Sequence, residues 1–105
     1  EIKKWENPVM DYWIVMTAPK GSSEPGIDGG IVGRKGPAPA QDAPVSAFVC
    51  TINVPNLDEF IKKVEAAGGS VALPKMALKG LAWLAYCKDI DGNIFGLFQD
   101  DKNAA

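Results

Sequence analysis

The sequence holds 105 residues with 11 Lys and Arg against 13 Asp and Glu, a net charge of -2 and no histidine. A chain of this size makes one domain with a modest core, and its scattered lysines and slightly acidic balance exclude the basic footprint of a nucleic-acid binder. Histidine is the usual general base near neutral pH and the commonest transition-metal ligand. These residues alone therefore cannot build a Ser-His-Asp, Cys-His or His-ligated metal site.

No stretch approaches the roughly 20 apolar residues of a membrane span, and no basic-then-apolar leader opens the sequence, so a cytoplasmic protein with no membrane partner is expected. Cys50 and Cys87 lie far apart without CxxC spacing. They read as reduced thiols inside apolar strands, serving as small hydrophobes.

In chain order, Glu1 to Glu6 and Met10 to Ala18 read as two strands joined by a turn at Asn7-Pro8. The second is rich in β-branched and aromatic residues, Tyr12-Trp13-Ile14-Val15. Pro19 to Asp28 is a loop, with Pro, Gly or Ser at most positions, and Gly29 to Lys35 a short glycine-rich strand. Gly26-x-x-Gly29-Gly30 has no Lys-Ser/Thr after it, so it reads as a turn rather than a phosphate loop. The prolines of Gly36 to Pro44 bar helix and central strand alike and mark a linker.

Val45 to Val54 is a strongly apolar strand. Asn56 then has the features of a helix N-cap, with Glu59 in the capping-box position. Leu57, Phe60, Ile61 and Val64 form one apolar stripe, and Gly68-Gly69 ends the helix. Ser70 to Met76, Leu81 to Lys88 and Ile94 to Gln99 follow as strands, and Asp100 to Ala105 as a frayed polar tail.

This strand-helix-strand-strand-strand order closes with Cys87-Lys88-Asp89-Ile90-Asp91-Gly92-Asn93-Ile94-Phe95-Gly96-Leu97. Val54-Pro55-Asn56-Leu57-Asp58 enters the helix and Ala66-Ala67-Gly68-Gly69 leaves it, with Pro74-Lys75-Met76 and Trp83-Leu84-Ala85-Tyr86 between. The set resembles the vicinal oxygen chelate superfamily, which includes glyoxalase I, bleomycin-resistance proteins and extradiol dioxygenases. It is most similar to a bacterial branch of predicted glyoxalase-related proteins. The resemblance implies an α+β fold of βαβββ units forming a cupped mixed sheet. Residues 1–35 would be an incomplete first unit, 36–44 a linker, 45–99 a complete second unit and 100–105 a tail. The first unit lacks its opening strand and helix, so either the chain is truncated, the reading favoured here, or another subunit supplies those elements.

Metal-dependent members draw ligands, commonly His and Glu, from the first and last strands of each unit. Laid on this chain, those positions fall on Val49 and Gly96, which carry no donor. Strand alternation then turns Val49, Thr51, Asn53, Ile94, Gly96 and Phe98 toward the cavity, as candidate ligand-binding residues. The same alternation turns Cys50, Ile52, Phe95 and Leu97 toward Phe60, Ile61 and Val64 of the helix. Thr51 and Asn53 are the polar members, and caps on strand-end backbone groups are an equal role for them. Aromatic residues such as Trp83 and Tyr86 read as core, and Cys87 has no base beside it that would make it a nucleophile.

The expectation is a domain that binds a small apolar or aromatic molecule with no cofactor, in a homodimer implied by the resemblance. The alternative is a glyoxalase-related lyase, isomerase or dioxygenase using a divalent metal held by missing residues or a partner chain. A structural role for an exposed sheet ranks third.

Overall fold

The computed structural model describes residues 1–6, 10–43 and 48–105. The expected turn at Asn7-Pro8 and the first residues of the Val45 strand lie outside the described residues. The chain divides into two compact units, Glu1–Ala43 and Pro44–Ala105.

The first unit is a three-stranded antiparallel sheet, β1 (Ile2–Lys4), β2 (Tyr12–Val15) and β3 (Gly29–Val32), in the order β1-β2-β3. Each strand is shorter than its sequence span, because pairing stops where the partner ends. Ile2 and Gly29, the first residues of β1 and β3, both face Val15, the last residue of β2. Trp5 meets Tyr12 edge-on, with centroids 5.9 Å apart, a favourable arrangement of ring quadrupoles. Residues 19–28 form the expected loop, pinned by Thr17, whose Oγ1 accepts from the Ile27 N–H and donates to its carbonyl.

The second unit contains β4 (Thr51–Asn53), α1 (Leu57–Ala66), β5 (Ser70–Leu78), β6 (Ala82–Lys88) and β7 (Ile94–Asp100). The sheet order is β4-β7-β6-β5; β4 runs parallel to β7 and the other pairs are antiparallel. A parallel β4–β7 pair requires a long crossover, which α1 and the two intervening strands provide.

α1 forms where expected. Asn56 is extended (φ -144°) and its Oδ1 accepts from the Glu59 N–H at 3.0 Å. At the other end the Gly69 N–H reaches the Val64 carbonyl and the Gly68 N–H that of Glu65, the paired bonds of a Schellman stop. The core sits between α1 and the sheet. Val54, Leu57, Ala85, Cys87 and Leu97 are buried, with Phe60, Ile61, Val64, Trp83 and Phe95 packed against them.

Three expectations are corrected here. β4 covers only 51–53 among the described residues, and Cys50 is exposed and Ile52 half-exposed rather than packed on the helix. β4 is the outer strand, paired on one side only, so residues at its margin meet few neighbours. The Asp100–Ala105 tail is tied down rather than frayed. Asp100 completes β7, the Gly80 N–H donates to the Ala104 carbonyl at 2.8 Å, and Ala104 is buried. β5 runs on to Leu78, two residues beyond its expected end. No helix among the described residues is long and apolar enough to cross a membrane.

Candidate functional site

Residues of β6 and β7 alternate strictly between two faces of the sheet. Trp83, Ala85, Cys87, Phe95 and Leu97 belong to the α1 side, so Leu84, Tyr86, Gly96 and Phe98 face away from α1. The ladders extend this second face into two cross-strand rows. One runs Thr51, Gly96, Tyr86, Leu73, and the other Asn53, Phe98, Leu84, Met76. Leu73 and Met76 share a face despite unlike sequence parity because register shifts interrupt β5 on either side of Leu73.

Thr51, Asn53, Gly96 and Phe98 are thus brought together by the β4–β7 ladder. Ile94 stands apart at the start of β7, opposite Lys88 and 41% exposed. Val49 precedes β4, belongs to none of the ladder pairs and is 48% exposed. Asn53 acts as a strand-end group, with its Nδ2 donating to Oδ2 of Asp100 at 3.0 Å. A shallow hollow of about 380 Å³ lies beside this bond, lined by Asn53, Val54, Pro55, Gln99 and Asp100. It is at the strand ends and shares only Asn53 with the two rows.

Gly96 governs the centre of the face. A Cβ built there would lie 2.8 Å from Thr51 Oγ1, 3.2 Å from Thr51 Cγ2 and 3.1 Å from Tyr86 Cε1. The first of these is below any ordinary carbon–oxygen contact, so the space of a side chain at 96 is already filled by its neighbours. A cation does not fit the implied ligand positions. Val49 and Gly96 carry no lone pair, and Thr51 and Tyr86 close over the place a carboxylate would need.

The rows contain no charged residue. Tyr86, Leu84, Leu73 and Met76 were not among the residues singled out for the face. The signal was present in the alternation of Ala82-Leu84-Tyr86 against Trp83-Ala85-Cys87, read outward from Gly96.

At the far end of β6 the turn to β7 is fixed by Asp89. Its Oδ1 accepts from the N–H groups of Asp91 and Asn93, each at 2.9 Å, and its Oδ2 from Nδ2 of Asn93 at 3.0 Å. The Asn93 side chain foremost, with these backbone donors, holds the Asp89 carboxyl below its ordinary value. Gly92 takes φ +82° there, a left-handed conformation costly for other residues. Asp101 is likewise lowered, first by the Asn103 N–H and then by Trp83, whose Nε1 donates to it at 2.9 Å. Cys87 is fully buried, and burial pushes its thiol up, with the Glu65 charge adding to the effect. A raised thiol is a poor nucleophile.

No protein-family model matches this chain, and no curated protein matches it. Among solved structures it is similar to a glyoxalase family protein from Bacillus cereus. The TM-score is 0.50 at 19% identity, over 87% of this chain and 63% of that one. At this identity the likeness is one of fold: the chain has a glyoxalase-like α+β architecture and spans less than two thirds of that protein's length.

Proposed function

We propose that the chain is a glyoxalase-like domain that binds a small apolar or aromatic molecule on the face of the second sheet away from α1, without a metal at positions 49 and 96. The observation carrying this reading is the filled position at Gly96, between Thr51 and Tyr86, within two rows free of charged side chains. An apolar floor with one or two polar groups suits recognition of an uncharged guest. The Thr51 hydroxyl supplies such a group at the centre.

The reading includes association of two copies, supported by the exposure of Ile2 and Ile31, which share one face of the three-stranded sheet and are each more than half accessible. Native mass spectrometry of the chain with divalent metals and with a library of uncharged aromatics tests the function. The reading expects guest adducts without metal. A stoichiometric metal adduct contradicts it and points to the metal-dependent alternative.

A further inference from the structure

We propose that Gly96 is a specificity-determining residue. By leaving out a side chain it lets Tyr86 and Thr51 both close on the same point of β7, and the floor they make selects flat, uncharged aromatic guests over aliphatic ones. The inference rests on the binding site proposed above and names the class of molecule it takes.

Any residue but glycine at 96 would place a carbon 3.1 Å from the Tyr86 ring and 2.8 Å from Thr51 Oγ1. The Thr51 side chain would have to shift and the Tyr86 ring to give by a few tenths of an ångström, and a longer side chain would take up the space between them. With glycine there, the ring lies beside bare backbone. Leu73 stands next to Tyr86 in the same row, and Leu84 and Phe98 pair in the next. Two rings, Tyr86 and Phe98, therefore sit on one face of adjacent strands, diagonal across the ladder, where cross-strand aromatic neighbours are within reach of one another. Ring quadrupoles favour an aromatic guest over a saturated one of equal area. A carboxylate at 96 would bring charge into rows that hold no cation, and burying it there is unfavourable.

The test uses the full chain and calorimetric titration with 1-naphthol and cyclohexanol, and follows free Mn²⁺ by electron paramagnetic resonance. The wild type is expected to prefer 1-naphthol. Tyr86→Leu should weaken 1-naphthol about five- to tenfold, the range an aromatic contact supplies, and leave cyclohexanol nearly unchanged. Gly96→Glu should weaken 1-naphthol further and bind no Mn²⁺. If Gly96→Glu fails to fold, Tyr86→Leu decides alone, because it introduces no new atom against the strand. Equal loss of both alcohols in Tyr86→Leu, unchanged 1-naphthol binding in that variant, or Mn²⁺ uptake by Gly96→Glu overturns the inference while leaving the binding site standing. Absence of binding by the wild type to either alcohol overturns the binding reading itself.

Discussion

The backbone N–H of Leu57 donates to Oε1 of Gln99 over 2.8 Å. One bond thus fastens the first turn of α1 to the strand that carries Gly96 and Phe98. Leu57 is fully buried beneath it, so the helix N-terminus is held by a side chain from 42 residues away as well as by its own Asn56 cap. Gln99→Ala should cost about 1 kcal/mol, the net worth of such a bond, and Asn56→Ala a similar amount. Leu57→Ala should cost about 3 kcal/mol, because the burial energy of the deleted methyl groups is lost and a cavity is left behind. Urea unfolding monitored by tryptophan fluorescence ranks the three. A Leu57 variant no weaker than the Gln99 variant would contradict this view of the core.

Two terms oppose each other in Gly96→Ala. Reduced freedom of the unfolded chain stabilises by about 0.4–1 kcal/mol, and overpacking against Thr51 and Tyr86 costs about 1–3 kcal/mol. With close contacts on both sides, overpacking wins and the variant is expected to be about 1 kcal/mol less stable. Thr51→Ala removes the nearer contact, so the Thr51→Ala/Gly96→Ala pair should recover most of the loss. Simple additivity in that cycle would show that the two residues do not touch.

The two thiols should differ in reactivity. Cys50 is exposed, whereas Cys87 is buried with its thiol pushed up. A disulfide reagent at neutral pH should modify Cys50 rapidly and Cys87 only on unfolding. Fast labelling of Cys87 in the native protein would place it outside the core.

Acid should loosen the ends of β6 and β7 together. Asp89 and Asp101 both have carboxyls held below the ordinary value. Groups with lowered folded-state values contribute stability that is present above the unfolded value, about 3.9, and is lost as pH falls through the lower folded values. Stability should therefore be flat in this respect near neutrality and decline in strong acid. Asp89→Asn should flatten that decline in thermal melts recorded from pH 2 to 7. An unchanged acid limb would remove Asp89 from the account.

What could be read in the sequence was local. The helix was legible to the residue because cap, apolar stripe and glycine stop all lie within Asn56–Gly69. β7 was legible because Phe95 and Leu97 alternate cleanly with Gly96 and Phe98. Long-range features were not. The anchoring of the tail depends on Gly80 and Ala104 meeting across 24 residues, and the exposure of Ile52 on β4 being the outer strand. The rows of the candidate site needed the register of β5, which two shifts displace. Hence Thr51, Asn53, Gly96 and Phe98 could be placed on one face from the sequence, and Tyr86, Leu84, Leu73 and Met76 could not.

The central claim is that the face built on Gly96 holds an uncharged guest in place of a metal. Amide spectra of ¹⁵N-labelled chain, titrated in parallel with 1-naphthol and with Mn²⁺, test it most directly. The account predicts 1-naphthol shifts centred on Thr51, Leu84, Tyr86, Gly96 and Phe98, and no selective Mn²⁺ broadening of those signals. Selective broadening there by Mn²⁺, with 1-naphthol shifts absent or elsewhere, would contradict it.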